Sequence, residues 1–387
     1  ILRFALNDIF FRCNTMRKLF TIISALCLAS TFQAQVRTEQ LLEKGWKFTR
    51  EDKVEFSQIG YDDAKWQSVT VPHDWAIYGP FSINNDRQNV AITQDGQKEA
   101  MEHAGRTGGL PFVGVGWYRL DFEAPSFEKG KKATLIFDGA MSHARVYVNG
   151  KEAGYWPYGY NSFHLDVTPY LKAGEVNELA VRLENESSRW YPGAGLYRNV
   201  HLVVTENAYV PTWGTHVTTP VVKDKFAKVH LETQWNMPEG KKITDYTIAT
   251  EILNPEGKKV NADTRPGDEL DEALFVQDFV VRNPALWSVE YPHLYTAVSK
   301  IYEGDRLVDE STTRFGIRTL EIIPEKGFFL NGKLTKFQGV CNHHDLGPLG
   351  AAVNDAAIRR QIRIMKDMGV NAIRTSHNMP APELVAA

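Results

Sequence analysis

Two short stretches near the end of the chain hold the side chains best suited to chemistry, Cys341-Asn342-His343-His344-Asp345 and Arg374-Thr375-Ser376-His377. Each follows a brief apolar run, "FQGV" (Phe337 to Val340) or "VNAIR" (Val370 to Arg374), at the point where a strand would give way to a loop. Parallel-sheet enzymes place reactive groups at such strand ends. Cys341 with His343, His344 and His377 suggests zinc only superficially, because no CxxC or HExxH spacing supports it. Asp345 is a lone carboxylate in a loop that leads toward a helix, where an aspartate usually caps or turns the backbone. If the strand continues, His344 points opposite to His343, which makes it structural.

The elements around these stretches must bring them together. "NDAAIRRQIRIMKDMG" reads as an amphipathic helix, with Asn354 or Asp355 capping its start, Ile358, Ile362 and Met365 on one face, and Gly369 suited to its C-terminal stop. Pro382-Glu383 resembles the first turn of another helix. Strand, helix, strand and helix start make the opening of a parallel α/β fold. With both strands parallel, Asn342, His343, Arg374 and His377 share one rim, at the strands' C-terminal ends.

Everything upstream is β-patterned. In "WYRLDFEA" (Trp117 to Ala124), Tyr118, Leu120, Phe122 and Ala124 alternate with Arg119, Asp121 and Glu123, the signature of a strand buried on one face. In "ARVYVNGKEAG", Ala144, Val146 and Val148 line one face and Asn149-Gly150 offers a tight hairpin turn. Such strands over residues 36–207 predict a sandwich or jelly roll. "KVHLETQW", "YTIATEIL", "LFVQDFVV" and "YTAVSKIY" then suit an immunoglobulin-like sandwich over 208–316. Residues 317–387 begin with a hairpin at Asn331-Gly332 and contain two βα units that open a parallel α/β fold. The fold class is therefore mainly β. In the aromatic run "GYWPYGYNSF" (Gly154 to Phe163) packing is the favoured role over sugar stacking. The glycine-rich stretch from Gly105 to Gly116 lacks the lysine and helix start of a phosphate loop.

The chain's 387 residues exceed one ordinary core. A formal net charge of -3 supplies no basic field for nucleic acid or an anionic membrane. Met16-Arg17-Lys18 and the apolar run Leu19 to Leu28 read as a secretory signal peptide over 16–34, cut after Ala29 or Ala34. The run is about half the length of a membrane-spanning helix. Residues 1–15 read as upstream translated sequence. The mature protein is thus expected outside the cytoplasm, periplasmic or extracellular, with no membrane insertion. Cys341 is then its single cysteine, and no intramolecular disulfide can form.

Five separated motifs carry a family resemblance: "VPHDWAI" (Val71 to Ile77), "RWYPGAGLYRNV" (Arg189 to Val200), "LWSVEYPHLY" (Leu286 to Tyr295), "GVCNHHDLGPLGAA" (Gly339 to Ala352) and "NAIRTSHNMP". In that order they resemble glycoside hydrolase family 2, most closely its bacterial β-galactosidases. The resemblance implies a jelly-roll sugar-binding domain, an immunoglobulin-like domain and a catalytic (β/α)8 barrel. It implies that His343 and His377 contact a galactosyl ring, that Arg374 supports the pocket, and that Asn342 and the Arg189-Trp190 loop lie near the sugar. Arg189 stands where the best-known members have an aspartate. The expected reaction is hydrolysis of terminal β-galactosides with retention, by two glutamates from later barrel strands. Neither glutamate motif occurs here, so the chain is expected to stop after two of eight barrel strands and to be inactive by itself. No organic cofactor is implied. A magnesium ion, known near the pocket in some relatives, would draw on other ligands, and a homo-oligomer is left open. A non-catalytic carbohydrate-binding protein, a β-glucuronidase and a β-mannosidase are the alternatives.

Overall fold

A computed structural model of the protein describes residues 36–85, 89–91, 93, 96–102, 112–185, 190–271 and 273–387. The signal-peptide and upstream readings, Arg189 and the glycines from Gly105 to Gly109 lie outside the described residues.

The first unit contains β1 (Thr38–Leu41), β2 (Trp46–Thr49), β3 (Gln67–Val69), β4 (Val115–Glu123), β5 (Lys132–Phe137), β6 (Ala144–Val148), β7 (Lys151–Trp156), β8 (Phe163–Asp166), β9 (Val176–Glu184) and β10 (Val200–Thr205). They form two antiparallel sheets, β1-β10-β5-β8 and β3-β2-β4-β9-β6-β7. Alternate side chains from both sheets meet between them, where Trp46, Tyr118, Leu135, Phe137 and Val181 are sealed from solvent. Asn149 and Gly150 turn the β6–β7 hairpin with φ of 48° and 75°, the positive values a two-residue turn requires.

One expectation needs correction here. Strand β4 keeps the expected alternation at its C-terminal end, where Asp121 and Glu123 are exposed, but its first half is buried on both faces: Trp117 and Arg119 are only 2% and 4% exposed. The segment around residues 53–66 folds over the outer face, packing Phe56 against Tyr61, Trp66 and Trp117. Arg119 tolerates burial because Phe56 O, Gln58 O, Asp63 and Glu178 all accept from its guanidinium.

A second sandwich follows, with β11 (Thr215–Lys223), β12 (Phe226–Gln234), β13 (Tyr246–Leu253), β14 (Lys259–Pro266), β15 (Leu274–Arg282), β16 (Tyr295–Glu303) and β17 (Arg306–Phe315). Its sheets are β11-β12-β15 and β14-β13-β16-β17. Val229, Leu231, Thr233 and Trp235 point inward, as the alternation predicts. The two sandwiches are clamped at their junction. Arg37 forks onto the fully buried Asp309 at 3.0 and 2.7 Å, and Asp309 also accepts from Val210 N at 2.8 Å.

The last region holds β18 (Leu320–Ile323), β19 (Gly327–Leu330), β20 (Lys333–Leu334), β21 (Gly339–Asn342), the helix α1 (Asp355–Asp367), β22 (Ala372–Thr375) and the short helix α2 (Pro382–Ala386). Asn354 caps α1 by accepting from Ala357 N at 3.0 Å, and Gly369, at φ 84°, ends it. Strands β21 and β22 pair in parallel. The "FQGV" stretch is not buried as expected, with Phe337 60% exposed and Val340 half-buried. Parallel strands are sealed only when further strands and helices flank them, and this sheet has two strands. Among the described residues no helix is long and apolar enough to cross a membrane.

Candidate functional site

The parallel register sets Cys341 opposite Arg374 and Asn342 opposite Thr375, and Ser376 N then donates to Asn342 O at 2.9 Å. His343 and His377 therefore leave the sheet at the same end. Their rings lie 5.3 Å apart, nearly perpendicular at 78°. Arg374 Nη2 is 3.3 Å from His377 Nδ1, while Nη1 donates to Ser376 Oγ at 3.0 Å and lies 3.9 Å from Cys341 Sγ. A guanidinium has donors only, so His377 Nδ1 must accept, and the proton of a neutral His377 sits on Nε2. Asn342 lines a cavity of about 40 Å³ with His343, Thr375 and Ser376. The structure thus assembles His343, Arg374 and His377, with Asn342 beside them.

The first sandwich reaches into this rim. Trp190 places its indole 4.6 Å from the His377 ring and 5.7 Å from the His343 ring, and its Nε1 donates to Tyr160 Oη at 3.1 Å. Tyr158 Oη donates to Asn378 Oδ1 at 2.6 Å. The aromatic run therefore divides. Trp156 and Phe163 stack on one another in the sandwich, as packing anchors should, whereas Tyr158 and Tyr160 face the rim. His344, just past the end of β21, packs on the sandwich. Its Nε2 donates to Pro192 O at 3.0 Å, its ring lies 5.4 Å from Tyr160 and 5.9 Å from Tyr197, and burial pushes its pKa below the ordinary histidine value.

Two buried charged residues tie the rim to the sandwich, and sequence reasoning did not single out either. Asp74 accepts from Ala76 N (2.9 Å), Ala194 N (3.0 Å), Ala351 N (2.8 Å) and Tyr191 Oη (2.6 Å), joining three distant segments. Burial pushes its carboxyl up, and these four donors oppose that shift. The loops close on it so tightly that a Cβ on Gly193 would lie 2.4 Å from Ala351 Cβ, and one on Gly350 2.5 Å from Asp74 Oδ2, both at positive φ. Arg198, 1% exposed, donates to Met379 O (2.8 Å), Pro380 O (3.4 Å), Asp138 O (3.1 Å) and Tyr160 O (3.3 Å). It fastens the loop after His377 to two loops of the sandwich. The available signal was a charged residue embedded in each of two motifs, "VPHDWAI" and "GLYRNV".

This arrangement offers fixed donors and aromatic walls to a polar ligand. Its strand-end segments, residues 341–345 and 374–380, contribute one acid, Asp345. Among the described residues no three His, Cys, Asp or Glu side chains converge as a metal site.

Three family profiles match the chain: "Glycosyl hydrolases family 2, sugar binding domain" at residues 41–205, "Glycosyl hydrolases family 2" at 209–318, and "Glycosyl hydrolases family 2, TIM barrel domain" at 322–386. The chain belongs to glycosyl hydrolase family 2. It is 43% identical to the β-galactosidase BoGH2A of Bacteroides ovatus over 346 residues, 88% of this chain and 38% of that protein. It is 28% identical to a β-glucuronidase of Bacteroides fragilis over 381 residues, 93% of this chain and 49% of that protein. The solved structure of a family 2 member from Bacteroides cellulosilyticus superposes with a TM-score of 0.80 at 36% identity, covering 90% of this chain and 44% of that one. The chain spans less than half the length of these relatives. The jelly roll, the immunoglobulin-like sandwich and the start of a barrel are thus those of family 2 enzymes.

Proposed function

We propose that this chain supplies the sugar-positioning part of an exported, retaining exo-β-glycosidase acting on terminal β-galactosides. The observation that carries the reading is the donor cluster of His343, Arg374 and His377 at adjacent parallel strand ends, faced by Trp190 from the sugar-binding domain. Donors held against sugar hydroxyls bind a distorted, oxocarbenium-like ring better than the ground state. Retaining hydrolysis also needs two carboxylic groups about 5–5.5 Å apart, and these strand ends provide one acid. Turnover of a chromogenic β-galactoside by the purified chain is therefore expected to be absent. The test of the reading is binding. Methyl β-thiogalactoside should shift the imidazole NMR signals of His343 and His377, and His377→Ala should abolish the response of His343. A galactoside that moves neither signal overturns the assignment.

A β-glucuronide is the second reading, favoured by relatives that carry that name. It differs by a carboxylate in place of the hydroxymethyl group, so a parallel titration with a thioglucuronide decides between them. Export rests on Met16-Arg17-Lys18 and the apolar run after it. N-terminal sequencing of the secreted protein should find a start just after Ala29 or Ala34.

A further inference from the structure

A ring set closely against His377 comes from neither rim strand. Trp190 lies in the loop before β10, yet its indole meets His377 at 4.6 Å with the planes tilted by 44°, and His343 at 5.7 Å edge to face. With the imidazoles 5.3 Å apart, the three rings close a triangle. Aromatic pairs at these separations attract through tilted and edge-on geometry, so each ring restricts the rotamers of the other two.

The indole is itself anchored through its own N–H and through the residue that follows it. Its Nε1 donates to Tyr160, and the next residue, Tyr191, donates to the buried carboxylate of Asp74. Asp74 in turn holds Ala351 N, which belongs to the loop between β21 and α1. The indole's position is therefore set by the sugar-binding domain and referenced to the barrel segment. Arg374 constrains His377 from one side through Nδ1, and Trp190 packs on the ring itself. A half-buried indole is well suited to this, since it supplies a large rigid surface with two rotatable bonds.

We infer that Trp190 is a positioning residue of the site, holding the His343 and His377 rings in their mutual orientation, so that the sugar-binding domain sets the geometry of a histidine pair carried by the barrel. The role in sugar binding rests on the galactosidase reading, whereas the ring contacts do not.

The test uses the full chain, labelled in its histidines, with Trp190→Leu and Trp190→Phe. In Trp190→Leu the ring-proton signals of His343 and His377, assigned through His343→Gln and His377→Gln, should shift and broaden. His230, paired with Asp278 on the second sandwich at 2.8 Å, should stay in place. Trp190→Phe should restore most of both signals. Binding of methyl β-thiogalactoside should weaken about tenfold in the Leu variant and about twofold in the Phe variant, the range an aromatic pair contributes. Unchanged His343 and His377 signals in Trp190→Leu overturn the proposal. Should that variant misfold, seen as movement of His230 as well, Tyr160→Phe carries the test: it removes the hydroxyl that accepts the indole N–H and must still shift His377 more than His230, and equal or absent shifts overturn the proposal. If wild-type protein ignores the thiogalactoside while its imidazole signals respond to Trp190, the substrate reading fails and the positioning role stands.

Discussion

In the first sandwich Trp46, Trp75, Leu135 and Phe137 are wholly excluded from solvent, whereas in the barrel segment Ile322, Leu334, Phe337, Met368 and Val385 are 58% to 82% exposed. The segment that carries the histidines has little core of its own. It is located instead by directional polar ties to the sandwich: Asp74 to Ala351, Arg198 to Met379 and Pro380, His344 to Pro192, Asn199 to Glu383 at 2.6 Å, and Val353 N to Tyr197 O at 2.8 Å. Apolar burial is non-directional and tolerates small displacements, while a buried hydrogen bond fixes a partner to within a few tenths of an ångström. The contrast teaches that the first sandwich holds the apolar core, while the segment docked on it by polar ties carries His343, Arg374 and His377.

Removing the most connected tie should produce the largest effect. Asp74→Ala leaves three backbone N–H groups and the Tyr191 hydroxyl without their acceptor, at a cost of about 3–5 kcal/mol. Urea denaturation should show a lowered midpoint, and hydrogen exchange should show lost protection over 351–384 with the second sandwich unaffected. Equal protection before and after would mean that the barrel segment holds itself. Arg198→Met comes next, with about 2–4 kcal/mol lost and faster exchange over 376–384. Arg198→Lys should recover only part of this, because a single ammonium cannot span carbonyls that a planar guanidinium reaches together.

A smaller effect is expected at the junction of the two sandwiches. Arg37→Ala strands the carboxylate of Asp309, but the arginine is partly exposed, so about 2 kcal/mol is expected, visible as a lower midpoint. The rim should not register it, and the His343 and His377 signals should remain in place.

The pH dependence should be opposite in sign at two sites of the first sandwich. His201 sits 3.1 Å from Asp138 and 2.8 Å from Glu39, and these carboxylates raise it to about 9. Its folded pKa exceeds the unfolded value near 6.5, so its contribution is complete below that value and fades as pH rises through about 9. His73, enclosed against Phe48 and Tyr118, is lowered by burial to about 4. Between about pH 6.5 and that value the unfolded chain takes up a proton that the folded chain refuses, so stability falls with pH. Melting temperatures should peak near neutrality, with the alkaline loss reduced in His201→Gln and the acid loss reduced in His73→Gln.

Much of the architecture is legible because its causes are local. Asn149-Gly150 and Asn331-Gly332 specify their hairpin turns through positive φ, Asn354 and Gly369 bound α1, and period-two alternation orients β12 and β13. Each of these signals lies within a few residues of what it determines. The common rim of His343 and His377 also follows from the chain, because two parallel strands joined by one helix must end on the same side. Tertiary structure decided the rest. Asp74 meets Ala351 across 277 positions, Arg37 meets Asp309 across 272, and Arg198 meets Pro380 across 182. Apart from the motifs around Asp74 and Arg198, nothing local distinguishes these charges from solvated ones, nor Arg119 from an outward-facing strand residue. A buried polar group survives only where the folded chain supplies its partner, and that partner is chosen by which loops the packed sandwiches bring together. For the same reason the Arg189-Trp190 loop could be placed near the sugar by resemblance, but only the fold sets the Trp190 ring against two histidines.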